Sequence, residues 1–170
     1  MNKETLDVGC GDHPRGTVNV DCMTDQYFVR PPLKTKTIPN FIKADACNLP
    51  FRNDVFQKVM ASNVLEHLQN PVKALKEWKR VAKVTVIAVP ALTPCRFAGT
   101  EFPEHLYTWS VNSLQNLMET IYSKVTIVTN LKLLKWHRKT QFTPIINFVL
   151  RHLLIYLKMF QNAELIAVGS

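Results

Sequence analysis

The residues with the clearest chemical potential lie in the first third of the chain: Asp7, a Gly9-Cys10-Gly11 turn, Asp21 and Asp45. Leu6 and Val8 alternate with Thr5 and Asp7 as a strand does, and the two glycines let the backbone turn sharply with no Cβ in the way. A turn of this kind at the carboxyl end of a strand lets a ligand come close to main-chain atoms, and in open α/β sheets that edge is the ligand edge. Asp21 closes the next apolar run and puts a carboxylate where ribose hydroxyls could be held. Plain turn geometry is the competing reading of a glycine pair. Two histidines suit general-base work near neutral pH, His67 after Glu66 and His105 beside Glu104. Each has a structural alternative: His67 packed against a sheet, His105 held in a loop by a hydrogen bond. His13 either covers a ligand or is an ordinary loop residue, and Cys10 beside the glycines reads as a small packing residue rather than a nucleophile.

The elements that must position these groups follow from periodicity. Strands are predicted at about Thr5–Val8 and Thr17–Val20, with only residues 9–16 between them. A parallel crossover with its helix takes a dozen or more residues, so no helix fits there. The proline-rich stretch from Cys22 to Asn40 reads as a loop. A third strand (Phe41–Ala44) is followed by the turn Asn48-Leu49-Pro50-Phe51, and a fourth (Gln57–Ala61) by a short helix carrying Val64, Leu65 and Leu68 on one face. Asn70-Pro71 opens a helix with Val72, Leu75, Trp78 and Ala82 inward and the lysines outward. The unbroken apolar run Val84–Val89 predicts a central strand covered on both faces. A long irregular piece then reaches Trp109, and Ser110 is set to cap a helix bearing Leu114, Leu117, Met118 and Ile121. Strands at Lys124–Asn130 and Leu165–Val168 flank a helix that starts at Thr143-Pro144 and runs to about Phe160.

The order LDVGCG, VNVD, FIKADACNLPF and FQKVMASNVLEHL resembles class I S-adenosylmethionine-dependent methyltransferases, particularly the type 11 group. The resemblance implies a Rossmann-like α/β fold: a seven-stranded mixed sheet of order 3-2-1-4-5-7-6, here with reduced helices in the amino-terminal half and the last strand inserted antiparallel. It also implies S-adenosylmethionine as cofactor. Gly9 and Gly11 would approach its methionine part, Asp7 its amino group, Asp21 the ribose and Asp45 the adenine amino group. Ala46 would offer backbone to the adenine ring, and Asn63 would lie at the mouth. His13 stands where many relatives have a third glycine. Methyl transfer is an in-line displacement that positioning alone can accelerate strongly, so the resemblance implies no universal catalytic residue.

The chain has 170 residues, 46% of them hydrophobic, which suits one domain with its own core. Its net charge of +8 is spread along the chain, so no nucleic-acid-binding module is expected. Cys10, Cys22, Cys47 and Cys95 lack C-x-x-C spacing, which argues against a zinc site or a disulfide framework, and no metal is expected. The amino terminus lacks the apolar core of a signal peptide, and a cytoplasmic location is expected. The helix over 144–160 is shorter than the ~20 residues that span a bilayer and contains Arg151 and His152, so it is not expected to cross a membrane. It is expected to cover the sheet face left bare by the missing front helices, with a homodimer through this helix as the alternative. The acceptor is not legible. The reading of another class is a non-catalytic cofactor-binding or scaffolding module of the same fold. A nicotinamide-dependent dehydrogenase is disfavoured, because the glycine loop has no room for the helix whose amino terminus holds a pyrophosphate.

Overall fold

The computed structural model describes residues 4–22, 38–91, 105–131 and 163–170. Seven strands form one sheet: β1 (Thr5–Val8), β2 (Val18–Asp21), β3 (Phe41–Lys43), β4 (Phe56–Ser62), β5 (Ala82–Pro90), β6 (Val125–Leu131) and β7 (Ala163–Gly169). Their order is β3-β2-β1-β4-β5-β7-β6, the order expected from the resemblance. Neighbours from β3 through β5 are parallel, while β7 runs antiparallel to both β5 and β6. The carboxyl ends of β1 to β5 therefore open on one edge.

Register explains the core. Leu6 pairs with Val59, Val8 with Ala61, Val59 with Thr85 and Ala61 with Ile87, so these side chains share one face, and all are buried. Two helices cover that face, α1 (Pro71–Val81) and α2 (Val111–Glu119). In α1 the side chain of Asn70 accepts a hydrogen bond from the Lys73 N–H at 2.9 Å and Pro71 occupies the first turn, where its missing N–H costs nothing. Pro71, Ala74, Leu75, Trp78 and Val81 face the sheet. Val72, expected inward, is 37% exposed, because the buried stripe recurs three and four residues apart from Pro71 rather than from its neighbour. Ala82 is buried as expected, but as the first residue of β5: its φ of −143° and ψ of 152° turn the helix straight into strand. Ser110 caps α2 through a reciprocal box with Ser113, and Leu114 and Met118 are buried.

The opposite face departs from expectation at β5. Ala82, Thr85, Ile87 and Val89 are buried, but Val84, Val86 and Ala88 are only partly so. Both helices lie on the Thr85 side, so the apolar run is fully covered on one face. Further forward, the loop over residues 9–16 folds on the second face without a helix. Asp7 and Asn19 sit opposite each other there, both fully buried, and their side chains bind the loop backbone. Asp7 Oδ2 accepts from the Arg15 N–H at 2.8 Å, while Asn19 Oδ1 accepts from the Gly16 N–H at 3.0 Å and its Nδ2 donates to the Gly16 carbonyl at 3.2 Å. Polar side chains thus do what the absent first helix would have done with apolar ones. The short helix expected after β4 is a single 3-10 turn, Leu65–His67. The helix expected over 144–160, most of the loop before His105 and Cys95 lie outside the described residues.

Candidate functional site

The edge at the carboxyl ends of β1 to β5 collects most of the residues singled out by type. Gly9 follows β1 with φ +68° and Gly11 has φ +51°, a left-handed conformation that side chains resist. Between them the loop is pinned to the next strand, since the Gly9 and Cys10 N–H groups both donate to the Val20 carbonyl, at 2.8 and 3.1 Å. Asp21 lies beside this bend: its Oδ2 accepts from the Gly11 N–H at 3.0 Å, and the residue is 7% exposed. The neighbouring strand joins through the Ala44 N–H, which donates to the Asp21 carbonyl at 3.1 Å and brings Asp45 to the same edge.

Asp7 is the buried carboxylate of the group. Burial pushes it above the usual carboxylate range, and the Arg15 N–H and guanidinium pull partly the other way. Its Oδ1 is buried and, among the described residues, accepts no hydrogen bond. An orphaned acceptor two residues before Gly9 suits an ammonium group arriving from the ligand side. Asp45 is exposed and already uses one oxygen within its own turn, where Oδ1 accepts from the Cys47 N–H at 2.8 Å. Ala46, next to it, is buried, and its carbonyl accepts from the Trp78 indole N–H at 3.0 Å, which fastens the loop after β3 to α1.

The remaining positions sort by exposure. His13 is exposed at the far end of a turn closed by its N–H on the Cys10 carbonyl, 3.3 Å. Cys10 is buried, and burial together with the charges of Asp21 and Asp7 pushes its thiol up to about 12, which fits a packing residue and not a nucleophile. Asn63 is exposed just past β4 with φ +54°, and its N–H donates to the Ala88 carbonyl at 2.8 Å. This left-handed step swings Val64 against the glycine bend, so closely that a Cβ on Gly9 would lie 2.3 Å from Val64 Cγ2.

Immediately after Val64 the 3-10 turn sets Glu66 and His67 at the same edge, and His105 joins them from the segment after β5. The rings of His67 and His105 stand edge to face with centroids 4.6 Å apart. The two histidines were separate candidates by sequence; the fold makes them one group with Glu66, whose significance no spacing revealed.

Residues 6–89 match the family model described as "Methyltransferase domain". That match and the sheet order give the chain the class I methyltransferase fold. None of the curated proteins compared with it matches. Among solved structures it is similar to an S-adenosylmethionine-dependent methyltransferase from Thermotoga maritima, with 14% identity, a TM-score of 0.68 and coverage of 98% of this chain and 81% of that one. An S-adenosylmethionine-dependent methyltransferase from Archaeoglobus fulgidus shares 19% identity at a TM-score of 0.61, over 98% and 85% of the two chains. Magnesium protoporphyrin IX methyltransferase from Synechocystis PCC 6803, solved with S-adenosylhomocysteine bound, shares 14% identity at a TM-score of 0.56, over 98% and 74%. At these identities the likeness is one of fold.

Proposed function

We propose that this chain binds S-adenosylmethionine at the carboxyl edge of β1 to β3 and transfers its methyl group to an acceptor. The observation that carries the reading is the coupling of Asp21 to the glycine bend through the Gly11 N–H, with the orphaned Asp7 Oδ1 beside it. Bound there, the cofactor supplies a methyl group activated by the positive sulfonium. Asp21 holds the ribose hydroxyls, Asp7 receives the amino group, Gly9 and Gly11 leave the main chain open to the methionine part, and Asp45 and Ala46 face the adenine. Asn63 edges the same opening. The protein's contribution to the reaction is alignment of acceptor, methyl carbon and sulfur in one line. The free thiols of Cys10, Cys22 and Cys47 suit a reducing compartment, and we place the protein in the cytoplasm.

Calorimetric titration of the full chain with S-adenosylmethionine and with S-adenosylhomocysteine tests this. Both should bind, and Asp21→Ala should weaken both by ~10–100-fold, the loss of a charge-assisted hydrogen bond. Absence of binding to either compound sinks the proposal. Binding without any transfer across acceptor panels would favour the scaffolding module instead.

A further inference from the structure

Glu66, His67 and His105 each offer a ligand atom, and these atoms lie within 4.8 Å of one another. Glu66 is fully buried, while the histidines are half-buried, so the group has a sealed carboxylate floor and an accessible imidazole rim. Its frame is fixed from two sides. Glu66 is held in the 3-10 turn, and its carbonyl accepts from the N–H groups of Leu106 and Tyr107 at 2.8 and 3.2 Å, which clamps the segment carrying His105 onto the turn. The Tyr107 hydroxyl donates to the Gln69 carbonyl at 3.2 Å, and Trp109 bridges to Ala91 at the end of β5. The His105 backbone is thereby set before any ligand arrives.

We propose that these three side chains form a binding site for a divalent transition cation of the zinc type, placed to hold an oxygen acceptor beside the methyl donor. Two imidazoles and one carboxylate are a donor set for zinc and its first-row neighbours, and are unlike the all-oxygen shells of magnesium and calcium. Bonds of about 2.0–2.2 Å bring donors within roughly 3–4 Å of one another, so small side-chain rotations close the set. Three protein ligands leave a position open for water or an acceptor oxygen. Val64, packed on Gly9, directly precedes the turn that carries two of the ligands, so the cation would stand next to the methionine end of the cofactor pocket.

The inference rests on the methyl-transfer reading for its consequence. The cation lowers the pKa of a bound hydroxyl, whose proton passes to solvent. An oxygen lone pair then forms the O–CH3 bond as the C–S bond breaks, and that bond's electrons stay on sulfur to give neutral S-adenosylhomocysteine. The acceptor class this assigns is a hydroxyl compound.

The test uses tag-free full-length protein stripped with chelator. Zn2+ titrated calorimetrically should bind one to one, and Co2+ should give a visible spectrum of nitrogen and oxygen ligation without thiolate charge-transfer bands. His105→Ala and His67→Ala should each weaken Zn2+ at least ~10-fold, while S-adenosylmethionine affinity of His105→Ala stays within twofold. Glu66→Gln is expected to do the same, and if it fails to fold the histidine variants decide. Acetohydroxamate added to the Co2+ protein should shift the spectrum by taking the open position. Absence of one-to-one binding, thiolate bands, or unchanged affinity in both histidine variants overturns the site; an unmoved spectrum with acetohydroxamate overturns its acceptor role. Loss of S-adenosylmethionine binding with Zn2+ binding intact would instead strike the cofactor reading and leave the cation site standing.

Discussion

Single residues decide how close the cofactor edge can be approached. Gly9→Ala meets two penalties, a left-handed φ and a Cβ driven into Val64, whereas Gly11→Ala meets only the first, since nothing lies within 4 Å of its added carbon. Urea denaturation should rank them: about 1–2 kcal/mol for Gly11→Ala and roughly 1–3 kcal/mol more for Gly9→Ala. Asn63→Gly should be neutral or slightly stabilising by the same measurement, because φ +54° suits glycine better than any side chain. Asp7 gives a pH prediction. Its carboxyl is held above the usual range by burial, so it takes up a proton earlier than an ordinary aspartate as pH falls. If the ionised form receives the cofactor's ammonium group, S-adenosylmethionine affinity should drop between neutral and mildly acidic pH, and Asp7→Asn should be weak at both. A pH series of calorimetric titrations checks this, and a flat profile in the unaltered chain would remove Asp7 from the site.

At the scale of elements, α1 does more than cover the sheet. Arg80, near its end, donates to the carbonyls of Phe51 and Leu49 at 2.8 and 3.2 Å and to Asn53 Oδ1 at 2.9 Å, and it pairs with Glu77 at 2.5 Å. Glu77 in turn accepts from the Leu49 N–H at 2.9 Å. The loop after β3, which carries Asp45 and Ala46, is thus fastened at one end by Arg80 and Glu77 and at the other by Trp78. Trp78→Phe removes the indole donor from the Ala46 carbonyl and should cost about 1–3 kcal/mol. It should also weaken S-adenosylmethionine binding if Ala46 lies against the adenine, a pairing of effects that a purely structural tryptophan would not produce. The hydrogen bonds from Arg80 hold Glu77 below the usual carboxylate range. A depressed carboxylate stabilises the folded state above its unfolded pKa, and that contribution is lost as pH falls through the lowered folded value. Glu77→Gln should therefore flatten the acid limb of a stability-against-pH curve.

For the whole molecule, the strand inserted last in the chain closes the sheet. β7 lies between β5 and β6, and Gly169 sits against Tyr122, where an added Cβ would be 2.5 Å from the ring. The Tyr122 hydroxyl is within 2.8 Å of Thr85 Oγ1 and 3.1 Å of the Leu75 carbonyl, joining α1, β5 and the segment after α2 in one buried contact, and burial pushes it up to about 12. Gly169→Ala should lower stability by roughly 1–3 kcal/mol through overpacking. Chemical denaturation would show this, and an unaffected midpoint would mean that the Tyr122 ring yields freely. Among the described residues no helix is long and apolar enough to cross a membrane.

What was legible in the sequence was local or periodic. Alternation and apolar runs place the strands to within a residue or two, Asn70 and Ser110 mark helix caps by residue type, and residues 9–16 are too few for a first helix. Val72 and the second face of β5 were misjudged because a window of apolar residues carries no information about which neighbours arrive to cover it. The same limit governed the site. Gly9, Gly11 and Asp21 could be grouped because a tight turn keeps them near one another along the chain. The expectation of no metal rested on cysteine spacing, which is silent about donors from separate segments. Glu66, His67 and His105 became one group only when parallel strands β4 and β5 brought their carboxyl ends side by side, since contact between distant residues is a property of sheet register and not of sequence order.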